Sequence, residues 1–455
     1  MRNKTLTIVI KLGTSSIVDE KTYEPRLSTL SVIVETALKL RRDGHRVVIV
    51  SSGAIGVGLR RMNVDKRPKH LPMVQALAAV GQCRLMSLFD SLFTHLQQPV
   101  AQILLTRNDI ADRTQYINAQ NTFAELLNMG VIPIVNENDT LAVTEIKFGD
   151  NDTLSAITAG MIQADYLFLM TDVDCLYTSN PRLDPTARPI AVVEDVSSLQ
   201  VDVSTAGSAL GTGGMSTKLV AARLATSAGV TTVITRSSLP GNIAQIVAHD
   251  QLIKTAPTSS PPSTVPVPPP SSTPPSPPLH TRFLPSPHPI RDRSFWLLHG
   301  LAPHGTLYID AGAARALAAK AGLFPVGVVG VEGSFAQQEA VRLCVVARPV
   351  HPHDNDNNAA AAHAHPEREV GAEAAVVAVG AGSADGDGGV ESGGEEIGRA
   401  LVNYSAVEIA RVKGLQSTEI RDVLGYADSE YVALRENVSL FGAAGSGVGA
   451  GGSKT

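Results

Sequence analysis

The sequence predicts a doubly wound α/β fold with a mainly parallel sheet, followed by a small mixed β domain. Short β-branched runs alternate with helix-period patterns over roughly the first 250 residues, the signature of parallel strands joined by crossover helices. Residues 256–290 are then dominated by Pro, Ser and Thr, which favours extended polyproline conformations and buries too little surface to fold. Beyond them, residues 294–346 return to short strand-like runs interspersed with glycine.

The expected strands of the first domain are residues 6–10, 46–50, 100–105, 131–135, 166–170 and 231–234. Between the first two, Leu27, Leu30, Val34, Ala37 and Leu38 recur at helical spacing, and Gly44 follows as a C-terminal cap. Comparable helices fit residues 73–95, 115–129, 153–164 and 216–228, enough to cover both faces of the sheet. In the second domain one helical pattern spans residues 311–320, and ordered patterns resume at 397–437 after a stretch rich in Ala, Gly, His and Asp. The expected organisation is a catalytic domain at 1–250, a disordered linker at 251–292 and a second domain at 293–440. A disordered insertion at 348–396 interrupts that second domain, and a Gly-rich tail at 441–455 ends the chain.

At 455 residues the chain has room for two or three domains. A formal net charge of -5 supplies no global basic field for nucleic acid or anionic membrane. Cys83, Cys175 and Cys344 are too scattered for a zinc site or a disulfide framework, which points to a reducing compartment. The apolar run at the start is cut short by Lys11 before a signal-peptide core forms, and no stretch reaches the roughly 20 apolar residues of a membrane span. A cytoplasmic protein without a membrane partner is expected.

In open α/β sheets, ligands bind at the carboxyl ends of the strands, so the loops that follow them hold the candidate site. The first strand runs into Lys11-Leu12-Gly13-Thr14-Ser15, the second into Ser51-Ser52-Gly53-Ala54, the fourth into Asn136-Glu137-Asn138-Asp139 and the fifth into Thr171-Asp172. Two glycine-bearing loops open helices: Gly149-Asp150-Asn151-Asp152, and the run from Gly211 through Thr212, Gly213, Gly214, Met215, Ser216 and Thr217 to Lys218. Unpaired backbone N–H groups and the helix dipole make such ends attractive to anions, and Lys218 adds a full charge. Neither G-x-x-x-x-G-K-[ST] nor G-x-G-x-x-G after the first strand is present, which excludes a P-loop enzyme and an ordinary dinucleotide binder. These residues read as a phosphate-handling α/β enzyme.

Five blocks in order, at residues 10–15, 52–55, 136–139, 147–152 and 210–218, resemble the glutamate 5-kinases of the amino acid kinase superfamily. Residues 293–296, 401–405 and 424–426 resemble the PUA domain that many of these kinases append. The resemblance implies an amino acid kinase fold and transfer of the γ-phosphoryl group of ATP, with Mg2+, to the side-chain carboxylate of glutamate, the first step towards proline. A glutamate side chain titrates near 4.3, so the nucleophile is already ionised at neutral pH and needs no general base. The difficulty is to bring an anion onto a triphosphate, so cations must converge there. Lys11 and Lys218 are the catalytic candidates.

By the same resemblance Ser52, Asp139 and Asn151 contact glutamate, Asp139 as counter-charge to its ammonium group, with Lys147 and Asp150 as neighbours. Lys11, Thr171, Asp172 and the run Thr212, Gly213, Gly214, Met215, Ser216, Thr217 and Lys218 match the nucleotide-binding positions. No metal ligand is assigned. Asp152, second after the glycine loop, reads as a helix N-cap, and Cys83 as a packing residue. Proline as feedback inhibitor, a glutamyl phosphate reductase as pathway partner and a homo-oligomer are expected from the family. The alternatives are an aspartate or acetylglutamate kinase, or an RNA-binding protein acting through the PUA-like region.

Overall fold

The computed structural model describes residues 4–141, 151–196, 199, 214–255, 276–290, 292–346 and 394–441. Two compact units divide the chain, with the second at Pro303–Phe441.

In the first unit the strands are β1 (Thr7–Leu12), β2 (Arg46–Ser51), β3 (Val100–Leu105), β4 (Ile132–Glu137), β5 (Tyr166–Thr171), β6 (Leu176–Tyr177), β7 (Pro189–Ile190), β8 (Val192–Val193), β9 (Thr231–Arg236) and β10 (Thr281–Phe283). The helices are α1 (Thr14–Ile17), α2 (Leu27–Arg42), α3 (Ala54–Arg61), α4 (Leu71–Thr94), α5 (Arg107–Ala111), α6 (Arg113–Asn128), α7 (Asn151–Met161), α8 (Met215–Ser227), α9 (Asn242–Thr255) and α10 (Asp292–Phe295). Eight strands form one sheet in the order β3-β4-β2-β1-β5-β9-β10-β8. Those from β3 to β9 run parallel, and β10 runs antiparallel to β9. The chain leaves β1 for β2 on one side and reaches β5 on the other, so the strand order reverses at β1. In doubly wound sheets that reversal opens a crevice beyond the strand's carboxyl end. The run Ile8, Val9 and Ile10 is fully buried, as are Val47 to Val50 and Leu167 to Leu169, because helices lie on both faces.

All six expected strands and the five expected helices of this unit form, with ends shifted by a few residues. The expected boundaries shift further. Thr281–Phe283, read as linker, pairs with Thr232 to Ile234 of β9 and, on its other edge, with β8, so it extends the sheet. Phe295 and Trp296, assigned to the second domain, belong to the first unit and are buried in it. Large apolar side chains following a Pro-rich stretch are seated wherever apolar surface is available, and here the first unit supplies it.

The second unit carries β11 (Gly305–Ile309), β12 (Val328–Gly333), β13 (Ala340–Val345), β14 (Glu395–Leu401) and β15 (Val438–Leu440), in the order β12-β11-β13-β14-β15. The β11–β13 pair is parallel and the others antiparallel, the expected mixed sheet. Helix α11 (Ala311–Ala318) matches the expected helical pattern, and α12 (Ala406–Val412) and α13 (Ile420–Leu424) complete the unit. Its own core is built on Leu307, Val341, Leu343, Tyr404, Ile409 and Ile420. Most of the expected insertion and all but the first residue of the expected tail lie outside the described residues. Glu395 and Glu396, counted in the insertion, instead open β14 opposite Val345 and Cys344.

Candidate active site

The crevice beyond β1 collects its polar groups from four parallel strands and two helix starts. Lys11 is the penultimate residue of β1; it is 4% exposed although it carries a charge. A cation that deep requires a partner. The partner is Asp152, in the first turn of α7, whose Oδ1 lies 2.5 Å from the Lys11 ammonium. Its other oxygen lies 3.3 Å from Nζ of Lys218 and accepts a hydrogen bond from the Thr217 hydroxyl at 2.8 Å. Lys218 is itself buried in the first turn of α8, which Gly214 opens. The side chain of Asp152 has no exposed surface. Burial alone would raise its pKa, but the Lys11 and Lys218 ammonium groups outweigh burial and hold it at about 2.

Asp152 is therefore no simple helix cap. It lies within α7 and clamps two cations from different parts of the fold, each beside a helix N-terminus. Two ammonium groups sharing one carboxylate leave a net positive charge beside two helix N-termini, which favours an anion.

A second group of residues adjoins the first through α7. Nδ2 of Asn151 contacts the Ser52 hydroxyl at 2.9 Å, the Ser51 carbonyl at 3.0 Å and Oδ1 of Asn136 at 3.0 Å. Asn136 in turn donates to Gln82 Oε1 of α4 at 2.7 Å. The backbone N–H of Ser52 donates to the Leu12 carbonyl, tying the ends of β1 and β2 together. Oδ1 of Asn151 is buried and has no hydrogen-bond partner among the described residues. A buried acceptor in that state costs about 1–3 kcal/mol unless something fills it.

The structure thus brings Lys11, Lys218, Thr217, Ser52 and Asn151 together around α7. Asp139 is half-buried in the loop after β4. Thr171 ends β5 and Asp172 follows it, ion-paired to Arg182 at 2.6 Å. Gly214, Met215 and Ser216 form the start of α8. Lys147, Asp150, Thr212 and Gly213 lie outside the described residues. Sequence reasoning read Asp152 as a cap, named Asn136 within its loop without giving it a role, and passed over Gln82. Asn136 could be found as a polar side chain closing an apolar strand run, whereas Gln82 on α4 carries no such signal.

The model of the amino acid kinase family matches residues 6–236, and that of the PUA domain matches residues 305–348. A probable glutamate 5-kinase of Schizosaccharomyces pombe is 52% identical, over 97% of this chain and 94% of that protein. A glutamate 5-kinase of Cyanothece sp. is 44% identical, over 96% of this chain and 100% of that protein. Among solved structures, carbamate kinase from Giardia lamblia aligns at a TM-score of 0.41 and 17% identity, over 62% of this chain and 99% of that one. The two family models and the similarity to the two glutamate 5-kinases over nearly the whole chain agree: the chain belongs to the amino acid kinase family, among the glutamate 5-kinases that carry a PUA domain.

Proposed function

We propose that this chain transfers the γ-phosphoryl group of ATP to the side-chain carboxylate of glutamate, giving glutamyl 5-phosphate and ADP. One observation carries the reading: Asp152 holds the ammonium groups of Lys11 and Lys218 on one buried carboxylate. Two fixed cations in a water-poor crevice favour a transition state whose charge spreads over the transferred phosphoryl and the leaving oxygen. The acceptor carboxylate arrives ionised, so no general base is needed. Thr171, Asp172 and the α8 start from Gly214 to Lys218 face the nucleotide in this reading, and Ser52, Asn151 and Asp139 hold glutamate. The unfilled Oδ1 of Asn151 offers an acceptor to the ammonium group of an amino acid. Lys147, Asp150, Thr212 and Gly213 keep the roles that the family motif implies.

Among the described residues no group of three or more His, Cys, Asp or Glu side chains converges as a metal cage. This suits magnesium carried on the phosphates of ATP, where it neutralises charge and needs few protein carboxylates. Among the described residues no helix is long and apolar enough to cross a membrane. A cytoplasmic homo-oligomer that hands its labile acyl phosphate to a glutamyl phosphate reductase fits this reading. Proline, which shares the ammonium and α-carboxylate of glutamate, is expected to compete with it, and glutamate kinetics unchanged by millimolar proline would exclude that. The net charge of -5 argues against RNA as the main partner. An ADP-release assay across glutamate, aspartate and acetylglutamate tests the substrate. Turnover with aspartate or acetylglutamate instead of glutamate overturns the assignment.

A further inference from the structure

Helix α7 presents Asn151 and Asp152 at its start and is buried almost throughout, from Leu154 to Met161. Gly160 lies eight residues after Asp152, about 12 Å along the helix axis at 1.5 Å per residue. A Cβ on Gly160 would stand 2.5 Å from Cζ of Phe295, so the aromatic ring packs flush on the helix backbone where only glycine leaves room. Phe295 is 2% exposed and ends α10.

Trp296 follows as the first residue of a π-helical turn, Trp296–Gly300. Its indole N–H donates to the Ile110 carbonyl of α5 at 2.9 Å. The Arg113 guanidinium lies 5.2 Å from the ring centroids of both Trp296 and the buried Tyr116. A Cβ on Gly300 would come within 2.8 Å of the indole, so the turn is closed onto Trp296. The segment is therefore pinned to α5 and α6 on one side and abuts α7 on the other. It is remote in sequence from all three helices, and the second unit begins just after it, at Pro303.

We propose that Phe295 and Trp296 are positioning residues for phosphoryl transfer: they set the axial height of α7 and thereby the placement of Asp152 between Lys11 and Lys218. The inference rests on the reaction proposed above. A packed helix moves as a rigid rod, so a displacement at Gly160 arrives undiminished at Asp152. Its contacts of 2.5 and 3.3 Å to the two ammonium groups leave little slack. Misplacement by about 1 Å costs on the order of a hundredfold in rate when the groups concerned act on the reacting atoms.

Two measurements on the full-length protein test this. The chain has one tryptophan, so intrinsic fluorescence reports Trp296 alone. Gly160→Ala is expected to shift its emission, because the added methyl displaces Phe295 and the Trp296 beside it, and an unmoved spectrum in the folded variant overturns the proposal. In the second, Gly160→Ala, which drives α7 away from Phe295, is expected to lower kcat at least about tenfold. The KM for ATP should stay within about twofold, and adding Phe295→Leu should restore kcat to within about threefold. Phe283→Leu in β10 serves as a control of similar stability loss that leaves kcat near normal, because β10 lies on the far side of β9 from β5. A folded Gly160→Ala protein with kcat within about twofold of wild type also overturns the proposal. If that variant does not fold, Phe295→Leu alone is expected to lower kcat more than Phe283→Leu, and equal losses overturn it. A wild-type protein without glutamate-dependent turnover would refute the functional reading instead.

Discussion

Replacing Asp152 with asparagine keeps its shape and removes the negative charge that Lys11 and Lys218 share. At an effective dielectric of about 20, contacts of 2.5 and 3.3 Å correspond to gross attractions of about 7 and 5 kcal/mol. Several kcal/mol of desolvation per ion offset much of this. The carboxyl pKa of about 2, against an ordinary 3.8, corresponds to a net contribution of about 2 kcal/mol. Because the folded-state value is the lower one, that contribution is fully present above pH 3.8 and is lost as pH falls towards about 2. Asp152→Asn should cost more than this, about 3–5 kcal/mol, since it removes the carboxylate that two buried cations share. It should also erase this acid-range dependence. Turnover should fall on the order of a hundredfold to a thousandfold as the lysines lose their fixed placement. Urea unfolding of the catalytic unit between pH 2 and pH 7, together with kcat for glutamate, measures both effects. An Asp152→Asn protein of wild-type stability and near-normal kcat would refute the reasoning.

Lys218→Ala, and likewise Lys11→Ala, should lower kcat on the order of a hundredfold to a thousandfold with a much smaller rise in the KM for glutamate. The lost cation acts mainly in the transition state. Steady-state kinetics decide, and near-normal turnover in a folded variant removes the assignment. Asp139→Ala should raise the KM for glutamate and leave the KM for ATP nearly unchanged, whereas an equal rise in both shows that the loop has failed and not the contact. A chain ending at Ala302 should fold and retain glutamate-dependent turnover, while one ending at Asp250 should melt lower and lose activity. The shorter chain strips β10 from β9, uncovers Gly160 and removes Trp296 from Arg113, and equal melting temperatures and rates for the two would contradict this.

The parallel sheet was legible because its strands are buried on both faces and read as continuous β-branched runs. Lys11, Ser52 and Lys218 were legible because each follows or opens an element at the carboxyl edge of that sheet. Helix α3 was not, since Gly56 and Gly58 mask its helical propensity. Those glycines serve close packing: a Cβ on Gly58 would stand 2.0 Å from the Leu77 carbonyl of α4. Asp152 was read as a cap because a helix start alone accounts for an aspartate there. Its link to two lysines distant in sequence is a tertiary fact that no local pattern carries. The placement of Phe295 and Trp296 escaped for the same reason, since a composition boundary does not say which core receives the next apolar residues.

The most direct measurement of the central claim is acyl phosphate formation, trapped with hydroxylamine as the hydroxamate. With wild-type protein, ATP, magnesium and glutamate, hydroxamate should accumulate with ADP in equal amounts and should vanish when glutamate is omitted. ADP release without hydroxamate, or hydroxamate formed equally well from aspartate, would contradict the assignment of this crevice to glutamate.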